Sequence, residues 1–369
     1  MRHVRLRVGA VAALASLAGA LAACAGGDGK AEDSAAGAAG GAAGADGAAA
    51  RGSGAPLAYV TNEDGNSITV IDTGTDSVLT TIFVGKRPRG IAVSPDGRTI
   101  YAAVSGSPKA APGVDESTLP PPDRAADGIA VIDVATRTLT KTLKSGQDPE
   151  AFAITRDGKT VYVSNEDAGT TTVLDVASGR ITGTIPVGGE PEGVTLTPDG
   201  NFVYVTAEEE NEVAVIDTRT NRVAHTIKTG KRPRAVAFTP DGKKGYVSAE
   251  LGGAVEVVDA GTHKRLKTIK LPGEGAKPMG VAVAPSGDFA YVTTGRGKTL
   301  AVIDVARDSV VATLEVGARP WGVAVTPDGK KAYTANGPGN DVTVIDLATR
   351  RVLKRIPSQG FPWGVVIAK

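Results

Sequence analysis

LAYVTNEDGNSITVIDTGTDSVLTTIFVGKRPRGIAVSPDGRTIY, residues 57–101, decides the fold, because its pieces return all along the chain. All 7 tyrosines occupy one position of this unit: Tyr59, Tyr101, Tyr162, Tyr204, Tyr246, Tyr291 and Tyr333, at intervals of 42, 61, 42, 42, 45 and 42 residues. Thirteen residues after each comes an aspartate: Asp72, Asp175, Asp217, Asp259, Asp304 and Asp346. The exception, Asp133, lies 32 residues after Tyr101 and locates an insertion at about 107–126. A proline follows each aspartate by 16 residues (Pro88, Pro149, Pro191, Pro233, Pro320 and Pro362), except Pro278, which arrives three later. Such regularity marks a repeat protein, whose function must lie in what differs between the copies.

Each unit holds four β-rich runs of five or six residues, as in GIAVS (90–94), IYAAV (100–104), SITVID (67–72) and VLTTI (78–82), punctuated by turn residues. This predicts a four-stranded antiparallel meander. Pro-Asp-Gly at 95–97, 198–200, 240–242 and 327–329 suits a tight turn, with Pro presetting φ, Asp bonding nearby amides and Gly accepting positive φ. The aspartate of each Val-Ile-Asp run does the same in the next turn. A four-stranded sheet apolar on both faces is unstable alone, and a period near 42 selects an all-β, seven-bladed β-propeller. Small residues start each inner strand, Gly90, Ala151, Gly193, Ala235, Gly280, Gly322 and Gly364, where blades converge on the axis. The chain begins its repeats inside a unit and stops at Gly364–Lys369 without the usual turn. The last strand is therefore expected to complete the first blade and close the ring over residues 57–369.

Ahead of the repeats, Arg2, Arg5 and Arg7 precede an apolar run closed by Leu21-Ala22-Ala23-Cys24. Residues 1–24 read as a secretory signal whose end resembles a bacterial lipobox, with Cys24, the only cysteine, as the lipidated residue. Residues 25–56 are Gly/Ala-rich with nothing to build a core, a flexible tether of about 30 Å root-mean-square span. Removing the signal leaves 38 basic against 40 acidic residues, a formal charge near −2 that points to no polyanionic partner. With no cysteine after position 24, the repeats can hold no disulfide, thiolate metal site or thiol nucleophile.

Tyr59-Val60-Thr61-Asn62, Tyr162-Val163-Ser164-Asn165 and Tyr333-Thr334-Ala335-Asn336 resemble the YVTN family of β-propeller repeats, across all seven units. Asp148-Pro149-Glu150, Ser164-Asn165-Glu166-Asp167, Glu190-Pro191-Glu192-Gly193, Arg232-Pro233-Arg234 and the ending Pro362-Trp363-Gly364-Val365-Val366 resemble more closely the PQQ-dependent-catabolism-associated subgroup. That resemblance implies an exported accessory of a periplasmic quinoprotein oxidation system, with no chemical activity attached.

Strand alternation puts both insertions, about 107–126 and 271–277, on one face together with the blade-to-blade crossovers. Around the channel mouth those crossovers present Arg87 and Arg89, Asp148 and Glu150, Glu190 and Glu192, Arg232 and Arg234, Lys277 and Met279, Arg319 and Trp321, Phe361 and Trp363. The candidate ligand-binding residues are Arg87, Arg89, Glu150, Glu192, Arg232, Arg234, Arg319, Trp321 and Trp363. Two readings stand: solvated ion pairs with tryptophans capping the mouth, or a pocket whose arginines grip an anion while the tryptophans supply flat apolar surface. A planar polyanion such as pyrroloquinoline quinone would suit the pocket, a ligand suggested only by the family's association. Oxygen donors at 208–212, 62–64 and 165–167 could hold Ca²⁺, though no spacing resembles a calcium loop. Single-stranded nucleic acid could stack on Trp321, Trp363 and Phe361, against which the acidic sector argues.

His225, in an outermost strand, and His263, in a turn on the other face, are the only histidines after the signal, and neither is placed for general-base work or joint metal ligation. The expected protein is thus a non-catalytic, monomeric envelope lipoprotein, without a cofactor, that binds a partner protein or small ligand on its insertion face. The alternative is a small-molecule binder or lactonase- or lyase-type enzyme using the rim Glu and Arg residues.

Overall fold

The computed structural model describes residues 52–109 and 114–369; the signal, Cys24 and most of the Gly/Ala stretch lie outside the described residues. Among the described residues the chain forms seven four-stranded antiparallel sheets and three 3-10 turns of three residues each. Six sheets run in chain order from the axis outward, as in blade 4, built from Pro191–Leu196, Phe202–Ala207, Glu212–Asp217 and Arg222–Lys228. The seventh, blade 1, is shared between the ends: Pro362–Ala368 pairs with Leu57–Asn62, placing Ile367 opposite Ala58 and Val365 opposite Val60. The all-β, seven-bladed propeller with this closure is the fold.

Blades two strands deep in apolar residues must bury both faces, and each does so against its neighbours. One buried apolar cluster fills each of the seven seams. Between blades 3 and 4, Tyr162, Val173 and Ile185 meet Val194, Val203 and Ile216. At the closure, Tyr333, Val342 and Val344 meet Ala58, Val60 and Ile71.

The tyrosine at the head of each repeat packs its ring into the seam cluster. In four repeats its hydroxyl also latches the seam by reaching a left-handed turn residue of the next blade. Tyr162 donates to Asn221 Oδ1 at 2.6 Å, Tyr246 to Asp308 Oδ1 at 2.7 Å, and Tyr333 to Asp76. Asn221, Asp308 and Asp76 have φ of 52°, 48° and 51°. At the seam of blades 4 and 5 the equivalent residue is His263, whose Nδ1 lies 2.7 Å from the Tyr204 hydroxyl. This latch brings the two histidines together, with ring centroids 4.5 Å apart and planes tilted by 31°. Burial, with His225 beside it, lowers the pKa of His263.

The turns follow the expected chemistry. Asp133, Asp175, Asp259, Asp304 and Asp346 each accept the amide three residues on, and Asp96, Asp241 and Asp328 the amide two residues on. Glycine starts most inner strands because a neighbouring carbonyl leaves no room for Cβ: at Gly193 it would lie 2.3 Å from the Arg234 oxygen and at Gly280 2.4 Å from that of Trp321. Residues 52–56 settle against blade 1 on the face away from the insertion, where Ser53 Oγ donates to Asp72 at 2.7 Å and Thr73 Oγ1 to the Pro56 oxygen at 2.6 Å.

Deleting residues 362–369 removes the inner strand of blade 1 and exposes two seams at once. The truncated chain is expected to lose its cooperative melting transition, measured by circular dichroism; an unchanged transition would contradict the closure.

Candidate functional site

The rim side chains are positioned by a backbone device repeated at the crossovers. The residue before the proline adopts the left-handed region in six blades, with φ of 43° at Arg87, 52° at Asp148, 45° at Glu190, 59° at Arg232, 49° at Arg319 and 56° at Phe361. For non-glycine residues this conformation carries strain, repaid here by turn side chains that hold the amides. Asn211 Oδ1 accepts the Arg232 amide at 2.9 Å and Asn340 Oδ1 the Phe361 amide at 2.8 Å. The residue after the proline is held from the adjacent blade. The hydroxyl two positions beyond the tyrosine donates to its carbonyl: Thr61 to Arg89 at 2.7 Å, Ser164 to Glu192 at 2.7 Å, Ser248 to Met279 at 2.5 Å and Thr293 to Trp321 at 2.6 Å.

All nine rim residues singled out from the sequence line one cavity of about 520 Å³ on the insertion face. Ser107, Pro108, Lys109, Leu119 and Pro120–Pro122 of the insertion form one of its sides. The insertion is tied to blade 1, where Lys109 Nζ meets Glu63 at 2.7 Å, Asp64 at 2.9 Å and the Phe361 ring at 3.5 Å. On blade 3 its Arg124 meets Asp167 at 2.5 Å.

Inside, the charges are paired and buried rather than solvated, which corrects the first of the two readings of the rim. Arg89 joins Asp148 and Glu150 and lies 3.2 Å from Glu166. Arg234 joins Glu192 and Glu208, with Glu250 at 3.5 Å. Both arginine side chains are less than a tenth exposed. Desolvation therefore governs the site, since burying a carboxylate costs more than one shared guanidinium returns. It pushes Glu192 up to about 7, opposed by Arg234 and reinforced by Glu208. Burial also takes Glu166 to about 7 and Glu150 well above the glutamate range. Glu63 behaves differently: burial raises it, but Arg87, Arg89 and Lys109 together outweigh that and hold it low.

The opposite wall is cationic and aromatic. Trp321 and Trp363 stack at 5.8 Å and 26°, and the Arg319 guanidinium lies 4.8 Å over the Trp321 ring. Among the described residues no carboxylate stands within 4 Å of Arg319; burial lowers its pKa, opposed by the charge of Glu250 and reinforced by Arg296, Arg234 and Arg232. The buried Trp321 Nε1 has no hydrogen-bond partner. Gly337 makes room here, since a Cβ would sit 2.9 Å from the Phe361 ring and 3.1 Å from Trp321 Cδ1.

Sequence reasoning missed Glu63 and Glu250 as site residues, and Lys109 as the tie of the insertion. A signal for the first two exists: the position four after the tyrosine is glutamate in four repeats, Glu63, Glu166, Glu208 and Glu250. The oxygen donors weighed for Ca²⁺ are engaged by cations, Glu208 by Arg232 and Arg234, and Glu63 by Arg87 and Lys109. Among the described residues no group of three His, Cys, Asp or Glu is disposed to hold a metal.

Comparison with known proteins adds a relationship. Residues 193–359 match the family model of the seven-bladed β-propeller lactonases, and residues 57–225 that of the choice-of-anchor I domain. A search of curated proteins gives no match. Among solved structures, a candidate 6-phosphogluconolactonase of Bacteroides fragilis is 19% identical with a TM-score of 0.70, covering 86% of this chain and 99% of that one. A second, from Bacteroides uniformis, is 17% identical with a TM-score of 0.69, covering 85% and 99%. Hydrazine synthase of Kuenenia stuttgartiensis is 23% identical with a TM-score of 0.64, covering 75% and 88%. At these identities the structures share the fold. The chain is thus a propeller related to lactonase-like proteins, a coarser placement than the YVTN or PQQ-associated resemblance, which neither family match names. The lactonase match over 193–359 also overturns the expectation that the chain is not an enzyme. That expectation rested on the lack of a histidine base, whereas carboxyl groups raised to about 7 can do the same work.

Glu166 and Glu192 make the fold pH-sensitive in a defined sense. Their folded pKa values lie above the ordinary 4.5, so the stability they contribute is fully present below that value and is lost as pH rises through about 7. The melting temperature is expected to fall between about pH 4.5 and 7, and a Glu166→Gln/Glu192→Gln variant to lose that slope; an unchanged slope in the variant would assign it elsewhere.

Proposed function

We propose that the insertion-face cavity hydrolyses a lactone or related ester, with Glu192 as the proton-transferring group. The observation that carries this reading is the pairing of a buried carboxyl at about 7 with an arginine, Arg319, that has no carboxylate partner in the same cavity. At neutral pH Glu192 is present in both protonation states, which suits a group that must take a proton and then return it. Arg234 holds Glu192 Oε1, leaving Oε2 to receive the proton.

In this reaction a water oxygen forms a bond to the ester carbonyl carbon while its proton passes to Glu192. The carbonyl oxygen becomes an oxyanion, for which the Arg319 guanidinium is the available cation. Collapse breaks the acyl carbon–oxygen bond, and the departing alkoxide takes the proton from Glu192, so that lactone and water give one hydroxy acid. The lactonase relationship over residues 193–359 supports the reaction class.

The same reading extends to location. The Arg-rich, apolar run ending in Leu21-Ala22-Ala23-Cys24 supports export and lipid anchoring at Cys24. Palmitate labelling of cells is expected to mark the protein, and labelling that persists in Cys24→Ser would refute the anchor.

Hydrolysis is tested with γ-butyrolactone and δ-gluconolactone followed by pH-stat. Glu192→Gln is expected to lower kcat by about 10²–10⁴-fold and Arg319→Ala by about 10²–10³-fold, with melting retained. A wild-type protein that accelerates neither reaction, nor that of longer alkyl lactones, overturns the reading.

A further inference from the structure

Directly below the cavity a second space of about 230 Å³ runs along the ring axis. Its walls are the beginnings of the inner strands, with Ile91, Phe152, Val194, Val236, Val281 and Val365 among the side chains. Polar side chains are few: Glu192 and Arg234 stand at one end, and the Thr195 hydroxyl is spent on the Val236 oxygen at 2.7 Å. Glu192, Arg234, Trp321 and Trp363 line both spaces. The carboxyl assigned to proton transfer thus stands where a polar chamber meets a more apolar one.

Two features of this channel bear on what enters it. Its lining exposes more apolar than polar surface, the reverse of the cavity above, so a hydrocarbon group is favoured here over that cavity. Its volume is roughly half as large again as the ~150 Å³ apolar cavity that accepts a benzene ring, which suits about six to nine carbons.

We propose that the axial channel receives an apolar arm of the substrate, making this a site for lactones or esters bearing an alkyl or aryl substituent of about six to nine carbons. The proposal rests on the hydrolytic reading of the cavity above it. A substrate would place its ester between Glu192 and Arg319 and run its arm past Trp321 and Trp363 into the channel.

The two tryptophans are the only ones in the chain, so their fluorescence reports occupancy of this boundary without requiring turnover. The full-length protein is titrated with γ-lactones from γ-butyrolactone to γ-dodecalactone, and their hydrolysis is measured in parallel. Affinity and kcat/KM are expected to rise about threefold to fourfold per methylene and to level off near eight side-chain carbons. Val281→Phe and Ile91→Phe, on blades 6 and 2, are expected to bring the plateau forward by several carbons and leave γ-butyrolactone turnover unchanged. Hydrolysis with no dependence on chain length overturns the apolar arm while leaving the hydrolase reading intact. A tightening series with no hydrolysis of any member supports the channel and removes the hydrolase. A series that neither folded phenylalanine variant shortens places the arm elsewhere and overturns the proposal.

Discussion

The bond from a serine or threonine on one blade to the carbonyl beside the next blade's rim residue governs this protein's architecture. Hydrophobic clusters hold the seams together, but they are non-directional and tolerate sliding. A buried hydroxyl at 2.6 or 2.7 Å from a carbonyl does not, because losing the bond leaves a polar group unsatisfied at a cost of about 1–3 kcal/mol. Thr61, Ser164, Ser248 and Thr293 therefore set both the register of blade on blade and the position of Arg89, Glu192, Met279 and Trp321 at the mouth. In the strands of Ser164 and Ser248 the tyrosine two residues earlier fixes the other face of the same seam through its hydroxyl. Those strands carry a directional bond towards each face of the ring, so the scaffold and the site share their positioning parts.

This coupling explains how so many ions can be held in so narrow a mouth. Each crossover delivers a side chain on either side of its proline, and with seven crossovers converging, the charges are desolvated by crowding alone. Arg89 and Arg234 each serve several carboxylates, so the guanidinium groups are oversubscribed and some carboxyls favour the protonated form. The excess of acid lies on blades 3 to 5 and Arg319 on blade 7, where the carboxylate whose charge acts on it most is Glu250.

Much of this was legible in the chain. The tyrosine, aspartate and proline intervals specify seven units, the truncated last unit specifies closure, and the flanks of the prolines supply the nine singled-out residues that meet in the cavity. What the sequence could not convey was burial. Arg89 beside Glu150 reads as a surface pair in one dimension, and only the convergence of non-adjacent crossovers turns it into an interior one. Glu250 escaped notice because its partner Arg234 is supplied by a crossover, and Lys109 because the insertion has no counterpart in other repeats. The absence of a histidine base misled the functional reading, since a glutamate's suitability depends on desolvation and not on its identity.

One topological feature has bearing on how the molecule meets its surroundings. The chain joins the ring at residues 52–56, docked by Ser53 on the turn of Asp72, at the pole opposite the cavity. The described residues that lead into the ring therefore take no part in the cavity. Its mouth is framed by the crossovers and by Ser107–Lys109 and Leu119–Pro122 of the insertion, so a solute reaches the arginines and tryptophans from the pole that residues 52–56 leave uncovered.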